Sequence, residues 1–432
     1  MVFSGTNVTL GFVPETTHGT TPTTPSFSVF RATGRNINLK RDTLESAEVK
    51  SSRLRGDVRH GFNRVEGDIA VELAMQAYNP FLLWSLGGAS SGSVPTWDNP
   101  PTFTGVNLSI SAVDASIATA KTADFTRIGG NWTDDGYRPG DWVRTALFTT
   151  GVNNGDWRII TILSATVVRV ATATTTLVVE TGVAGTTFSY IGKKAVIYGV
   201  GGSKLRTFTL ERGFNDGVAT PVVEVFRGCA VNTLNVSMRP ESLVAATFGI
   251  VGMTADIDQT TSLDANAAYF EAPTNAPLAG VDATGYIGQF AQTLTAFDFN
   301  VDNQRTLFGQ LGTKTSPDVF EGTSKVTGNI SFVLIAGSVA RLTAFQDENT
   351  FSFSIRVNEV GTSDFMSFAF HKMKLTGADM DPPALGPVLI QTPFEALEQS
   401  FTGGSTTYKE VMQIQRSTTS NNTDPATGFP DA

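Results

Sequence analysis

The sequence has very little cysteine, histidine and charge for its length. Of its 432 residues, one is cysteine, three are histidine and 16% are charged. The single Cys229 rules out an intramolecular disulfide and fits a reducing cytoplasm. His18, His60 and His371 each lack a nearby second ligand, which argues against a metal site. No apolar run reaches the ~20 residues of a membrane-spanning helix, and we expect no signal peptide.

Positive charge is also scarce. The chain has 31 Lys and Arg against 40 Asp and Glu, for a net charge of -9 and a pI near 5.0. This balance argues against a surface that grips nucleic-acid phosphates, and it is compatible with one that must not grip them.

Motifs for catalysis are absent as well. We find no P-loop, no G-x-S-x-G, no H-E-x-x-H and no EF-hand loop. Asp379 and Asp381 could bind a cation, but two carboxylates just before a proline pair are more typical of a turn. Cys229 lies in a strand-like run and is expected to have a packing role. We therefore expect no enzymatic activity, no cofactor and no metal.

What the sequence has is the composition of a β protein with an internal repeat. The run RVEGDIAVEL at 64–73 is echoed by KVTGNISFVL at 325–334, and Val65 corresponds to Val326, 261 residues later. Both runs alternate with the period of a half-buried strand. The expected inward residues are Val65, Ile69, Val71 and Leu73 in the first copy, and Val326, Ile330, Phe332 and Leu334 in the second.

The resemblance continues on both sides of this strand. Residues 37–40 resemble 299–302, and residues 208–210 resemble 353–355 at a spacing that has fallen to 145. Phe226 then matches Phe370 at a spacing of 144. The alternative is chance likeness between amphipathic strands, but several pairs in the same order favour duplication. The fall in spacing predicts about 116 extra residues inside the first copy.

A short helix is expected after each repeated strand. Asn79 would be the N-cap of the first, Pro80 its first residue, and Gly87 with Gly88 its end. The second would span 338–346. The fold class is therefore all-β dominated with minor α. The predicted domains are an N-terminal arm (1–26), a discontinuous first domain (27–90 and 200–255), an inserted small β domain (91–199), a linker (256–287), a second domain (288–415) and a C-terminal tail (416–432).

The inserted domain reads as a small β-sandwich or barrel, because short β-rich runs alternate with turn signals. Its core is expected to contain Phe125, Trp132, Trp142 and Trp157. The alternative is that these aromatic side chains form a sugar-binding platform on the surface.

Residues 41–63 carry dense mixed charge with little periodicity, which predicts a long loop. One interpretation is a solvated loop; the other is a loop that becomes ordered against a neighbouring subunit. The candidate contact residues are Glu45, Glu48, Lys50, Arg53, Arg55, Asp57 and Arg59.

Three blocks of sequence resemble phage tail tube proteins, the major tail proteins of long non-contractile, siphophage-type tails. They are PETTHGTTPTTPSFSVFRATGRNINL, RVEGDIAVELAMQAYNPFLLWSLGG and TFTLERG with the later VFRGCAVNTLNVS. The resemblance implies two tail-tube-type domains, stacked rings with six tube domains each, and a continuous inner β-barrel. Two domains in one chain imply a trimeric ring of pseudo-sixfold symmetry.

The resemblance also implies partners and a location. The chain would self-associate into a virion tail tube, assembled in the host bacterial cytoplasm. DNA and a tape measure protein would occupy its lumen, tail terminator and distal tail proteins would bind its ends, and no membrane would be involved. A wide barrel is not filled by its own side chains, so polar strand faces would line a channel. The candidate lumen residues are Glu66, Asp68, Glu72, Glu211, Thr327, Asn329 and Ser331.

The second copy is neutral where the first is acidic, so we expect acidic and neutral strand groups to alternate around the lumen. Competing functions are a distal tail or baseplate hub ring, another tube such as that of a secretion system, and a glycan-binding module formed by the insert. An enzyme has the least support.

Overall fold

The computed structural model describes residues 5–46, 58–88, 95–105, 107–117, 120–199, 205–214, 221–265, 269–334, 346–382 and 386–417. The chain begins with four strands and one helix: β1 (Val8–Pro14), β2 (Ser28–Val29), β3 (Gly34–Glu45), β4 (Val58–Glu72) and α1 (Asn79–Leu86). Helix α1 starts one residue after its cap, Tyr78, and ends where Gly87 adopts a left-handed conformation with φ 84°. The predicted helix is thus confirmed, with its cap one residue earlier than expected.

An eight-stranded antiparallel sheet follows and forms the body of the insert. Its strands are β5 (Phe103–Thr104), β6 (Leu108–Asp114), β7 (Lys121–Arg127), β8 (Trp142–Ala146), β9 (Gly155–Ser164), β10 (Val167–Ala173), β11 (Glu180–Thr181) and β12 (Thr187–Tyr190), in the spatial order β11-β6-β7-β10-β9-β8-β12-β5.

The core of the insert contains Phe125, Trp132 and Trp157, as expected from the sequence. Trp142 is not part of this core. Its side chain packs outside the insert against Phe365, with ring centroids 5.9 Å apart. Because the core aromatics are buried, they do not form a surface platform for a sugar.

The chain then returns through β13 (Lys193–Tyr198), β14 (Phe208–Phe214), β15 (Val222–Met238), β16 (Ala245–Gly252) and β17 (Thr254–Gln259). Strands β1–β4 and β14–β17, with α1, are called the first repeat here. The N-terminal segment is not the extended arm that we expected, because β1 pairs along its length with β14 and buries most of its side chains. β13 does not join these strands and pairs with β29 (Thr407–Arg416), the last strand in the described part of the chain.

The second repeat contains β18 (Ala283–Ile287), β19 (Phe290–Gln292), β20 (Leu294–Asp302), β23 (Lys325–Val333), β24 (Thr350–Asn358), β25 (Phe365–Leu375), β26 (Asp379–Asp381), β27 (Leu389–Ala396), β28 (Gln399–Thr402) and β29 (Thr407–Arg416); β21 (Thr306–Leu307) and β22 (Val319–Phe320) form a hairpin between β20 and β23. Residues 379–381 are therefore a strand and not the predicted turn. The expected second helix lies almost wholly outside the described residues.

One continuous run of strands crosses both repeats. Its order is β3-β4-β16-β15-β20-β23-β27-β26, with every neighbouring pair antiparallel. We call this run the strip. The first four strands come from the first repeat and the last four from the second, so the strip joins the repeats through the β15–β20 pair.

The two repeats have the same strand register, as duplication predicts. Val65 pairs with Gly252 between β4 and β16, and the corresponding Val326 pairs with Ala396 between β23 and β27. The match at β14 needs a correction. Leu210 pairs with Phe226 as Phe353 pairs with Phe370, so Leu210 corresponds to Phe353 and not to residue 355. A slide of two residues keeps every side chain on the same face, which explains why the sequence pattern concealed it.

The buried face of the strip packs on α1, which also contacts β1 and β14 outside the strip. Measured between ring centroids, Phe81 on α1 lies 5.5 Å from Phe248 on strip strand β16, and 5.0 Å from both Phe12 on β1 and Phe208 on β14. Edge-to-face and tilted pairs of this kind add to the hydrophobic burial of large rings. The expected inward residues of β4 and β23 are all buried except Leu334, which is 36% exposed just after β23 ends. No helix among the described residues is long and apolar enough to cross a bilayer.

Candidate functional site: the polar face of the strip

The face of the strip opposite the core carries most of the residues predicted to line a lumen. Residues directly opposite each other in an antiparallel pair point to the same face. Asn38 is opposite Glu66, and Asn36 is opposite Asp68. Asp68 and Glu72 are exposed and Glu66 is half-buried. We call this surface the polar face, and these three predicted carboxylates all belong to it.

The carboxylates of the first repeat differ in their partners. Glu66 receives Lys40 Nζ at 2.9 Å and Arg64 Nε at 2.8 Å. Exposed pairs of this kind contribute only about 0–1 kcal/mol each, so they set the orientation of side chains more than stability. Within the described part of the chain, Asp68 and Glu72 form no ion pair. Their negative charge therefore faces the solvent in front of the polar face and is not neutralised by a cation of the described chain.

The second repeat contributes the equivalent half of the polar face. Thr327 and Asn329 are half-buried on this face, whereas Ser331 is only 6% exposed. Read by itself, this strand predicted a neutral surface. The neighbouring strands change that result, because Glu395 lies opposite Thr327 and Asp298 lies opposite Asn329. The second half is thus also acidic.

Cations offset part of this charge. Arg239 forms a bidentate ion pair with Asp298, with both N–O distances at 2.7 Å. Lys325 Nζ lies 3.8 Å from Glu395. Both halves of the polar face are therefore mixed in sign, and the expected alternation between acidic and neutral groups is not seen on the subunit.

Two equivalent glycines form the floor of two equivalent shallow depressions in this face. A Cβ on Gly67 would lie 1.8 Å from the carbonyl oxygen of Asn36, and one on Gly328 would lie 2.2 Å from that of Asp298. The neighbouring backbone therefore excludes any side chain at both positions. The depressions have volumes of about 330 Å³ and 480 Å³ and are lined by corresponding residues of the two repeats.

Glu211 does not belong to the polar face. It lies on β14, outside the strip, and its exposure is 0%. Its carboxylate accepts hydrogen bonds from Ser262 Oγ at 2.5 Å, from the Leu263 amide at 2.8 Å and from the Tyr269 hydroxyl. Burial and this carboxylate raise the pKa of Tyr269 well above its ordinary value. Glu211 therefore anchors the connector between the repeats, and its prediction as a lumen residue was wrong.

The described residues of the predicted contact loop, 41–46 and 58–63, mostly extend the antiparallel pair of β3 and β4. Glu45 ends β3, and Arg59 lies in β4, where both are exposed. The other five candidates, Glu48, Lys50, Arg53, Arg55 and Asp57, lie outside the described residues.

A second loop, which the sequence did not reveal, lies beside this pair of strands. The Asn63 amide donates to the carbonyl of Lys314 at 2.7 Å. Leu311 is 99% exposed and Phe308 is 63% exposed. Their only sequence signal was two large apolar residues in a segment without strand periodicity. This loop connects β20 to β23, as the predicted contact loop connects β3 to β4, so both lie at the same end of the strip.

A cluster of deeply buried charges lies away from the polar face, where the insert meets the second repeat. Arg138 Nη2 lies 2.7 Å from Glu410, and Lys194 Nζ lies 3.1 Å from Asp141. Gln413 Nε2 also donates to Asp141 at 2.5 Å. Each of these side chains is at most 2% exposed. The cluster fixes the insert to β29, although the insert interrupts the first repeat.

His371 lies beside this cluster and is neutral. Burial, followed by the charges of Lys194 and Arg138, holds the pKa of His371 well below its ordinary value. Its 3.5 Å contact with Glu410 is therefore not an ion pair. His18, by contrast, has a partner that the sequence did not reveal, since its Nδ1 lies 2.6 Å from Asp318.

Cys229 has the packing role that the sequence predicted. Its exposure is 0%, and burial, with a smaller effect of Glu15, raises the pKa of its thiol well above the ordinary value. A buried neutral thiol is not a nucleophile. Among the described residues, no group of three or more His, Cys, Asp or Glu side chains is arranged to hold a metal ion.

The polar face is thus a broad, solvated, charged surface on a duplicated sheet. Comparison with curated proteins finds no match. The family described as phage tail tube protein matches residues 5–403. That match covers nearly the whole chain, including the first repeat, the insert and the second repeat up to β28. The chain therefore belongs to the phage tail tube protein family.

Proposed function

We propose that three copies of this chain close into a ring of pseudo-sixfold symmetry, and that these rings stack into the tube of a siphophage-type tail. The observation that carries this proposal is the strip, in which four strands of each repeat form one sheet with matching registers. The same type of strand pairing that joins the two repeats within one chain can join the repeats of neighbouring chains, and a ring results when every edge is paired.

The sheet edges support closure. β3 and β26 end the strip, and in the described part of the chain each has only one neighbour in it. Unpaired edges promote uncontrolled association, and closure into a barrel removes them. Because each chain supplies two tube domains, three chains supply the six that a ring of this family is expected to contain.

The size of the resulting barrel suits DNA passage. A barrel of about 24 strands, spaced about 4.8 Å apart and tilted by about 40°, has a backbone diameter of about 48 Å. Such a bore is wider than a DNA duplex even after side chains are added. The polar face would line it, and unpaired carboxylates such as Asp68 would repel phosphate, so that DNA slides without sticking.

The remaining parts of the assembly follow from this placement. DNA and a tape measure protein would occupy the bore, and tail terminator and distal tail proteins would bind its two ends. Assembly would occur in the host bacterial cytoplasm. The hairpin of β3 and β4 and the loop around Leu311 lie at one end of the strip, where they would contact the next ring.

Cryo-electron microscopy of the purified full-length protein tests the proposal. We expect stacked rings with three subunits, two similar tube domains per subunit, and the polar face toward the bore. Rings of six chains, or rings whose polar face contacts protein, would refute it. Single rings at every concentration would instead support a distal tail or hub component, because a hub stops at one layer.

A further inference from the structure

The structure contains one complete joint between two tube domains, formed by β15 and β20. In this joint Thr233 is opposite Asp302, and Met238 is opposite Phe297. Val236 lies at its centre and is 0% exposed, because the partner strand and the core beneath cover it. The joint therefore shows how the strand at the end of the first repeat's half of the strip pairs with the strand at the start of the second repeat's half.

The two free edges of the strip are the equivalents of these two strands. β3 corresponds to β20, since Ile37 is opposite Gly67 as Phe299 is opposite Gly328. β26 corresponds to the C-terminal part of β15. This second equivalence rests on register, because Asn235 pairs with residue 247 on β16 as Asp379 pairs with residue 391 on β27.

We propose that residues 377–382 of one subunit pair, antiparallel, with residues 35–40 of a second copy of this chain, in the register of the internal joint. Asp379 then lies opposite Asn38 of the second copy, and Met380 lies opposite Ile37. The proposal rests on the ring proposed above and specifies which residues close it.

Side-chain exposure supports this partner. Met380 is 47% exposed in the subunit, whereas Val236, at the equivalent position of the internal joint, is fully buried. Ile37 is only 1% exposed and already belongs to the core. A strand added in the proposed register would extend that core over Met380, as β20 does over Val236.

Charge supports it too. The β26 edge exposes Asp379, and the β3 edge exposes Lys40, whose ion pair with Glu66 is itself exposed and leaves Nζ two further hydrogens to donate. In the proposed register these residues are diagonal neighbours on the same face, within reach of a long side chain. At the internal joint the equivalent of Asp379 is the neutral Asn235. The charge pair thus distinguishes the joint between subunits from the joint within one.

Disulfide cross-linking of assembled rings tests the register. The D379C/N38C variant should give covalent trimers on oxidation, resolved by non-reducing electrophoresis, with the buried Cys229 retained. The D379C/N36C variant is displaced by two residues, and diagonal Cα atoms about 7–8 Å apart do not suit a disulfide. Its yield should be at least about fivefold lower, and neither single variant should cross-link.

Other outcomes overturn the proposal separately from the function. A higher yield for D379C/N36C would show a different register, and rings that form without either cross-link would show a different joint. Absence of rings in the unmodified protein would refute the proposed function and the joint together.

A second measurement does not require a disulfide. A cysteine introduced by M380C should react with maleimide in the monomer and at least about tenfold more slowly in rings. I128C is the matched control, since Ile128 is 76% exposed on the insert and takes no part in the joint. Equal protection of both cysteines, or no protection of M380C, would overturn the proposal.

Discussion

Replacing Glu211 distinguishes an internal anchor from a lumen residue. Glu211→Gln keeps the shape of the side chain and removes its charge. In the folded chain the carboxylate accepts bonds from Ser262, Leu263 and Tyr269 without access to solvent. The matched control is Glu66→Gln, which removes the same charge from a half-buried residue on the polar face.

The expected loss follows from the contacts. Hydrogen bonds to a charged group contribute about 1.5–3 kcal/mol each, and an unsatisfied buried donor adds a desolvation cost. Glutamine can keep the three contacts only as neutral bonds, with its NH₂ donating to hydroxyls that donate in the unmodified protein. Neutral bonds are about half as strong as bonds to a carboxylate, so Glu211→Gln should lower the free energy of unfolding by about 3 kcal/mol. Glu66→Gln breaks only exposed ion pairs and should cost at most about 1 kcal/mol.

Urea unfolding of the monomeric chain, followed by tryptophan fluorescence, measures both values. The two variants should have similar dependence on urea concentration and well-separated midpoints. Midpoints that agree with each other and with the unmodified protein would refute the anchoring role of Glu211. If Glu211→Gln had normal stability but altered the passage of DNA through assembled tubes, Glu211 would be a lumen residue after all.

Three further predictions concern the polar face and the buried cluster. Gly67→Ala forces the β3 backbone to move and should lower the free energy of unfolding by about 3 kcal/mol or more in the same assay. The control is Gly151→Ala, where a Cβ meets nothing within 4 Å and the change should be less than about 0.5 kcal/mol. Equal effects of the two substitutions would contradict the close approach of β3 to Gly67. His371 stays neutral in the folded chain and protonates in the unfolded one. As the pH falls below 6.5, the free energy of unfolding of the unmodified protein should therefore decrease by about 1.4 kcal/mol per pH unit more than that of His371→Gln. Parallel stability–pH curves for the two proteins would contradict the lowered pKa of His371. Asp68→Arg should make assembled tubes retain DNA in a salt-dependent way in a filter-binding assay, whereas Asp258→Arg, on β17 outside the strip, should not; equal retention by both would remove Asp68 from the bore.

The sequence predicted the repeated strands because period-two alternation is a local signal. Val65 and Val326 could be matched by reading alone, and the structure gives them equivalent partners. Helix α1 was equally predictable from the sequence, since Pro80 and Gly87 mark its two ends. These features depend on neighbours in the chain, which a sequence displays directly.

What the sequence did not reveal depends on contacts between distant segments. Alternation alone cannot say which strand joins which sheet, so Glu211 was assigned to the wrong face. The Thr- and Pro-rich N-terminus resembled an arm because β1 is stabilised by β14, some 200 residues later. The charge of the second half of the polar face came from Asp298 and Glu395, on strands that become its neighbours only after folding.

The docking of the insert has a consequence for how the subunit unfolds. The insert leaves and re-enters the chain within the first repeat. Arg138 nevertheless contacts Glu410, and Lys194 Nζ donates to Gln413 Oε1 at 3.3 Å, both on β29 of the second repeat, and β13 pairs directly with β29. Separating the insert from the second repeat would therefore expose the buried charges of Arg138 and Glu410. Mechanical or thermal stress on the subunit should thus produce a single cooperative transition, with no stage at which one half opens alone.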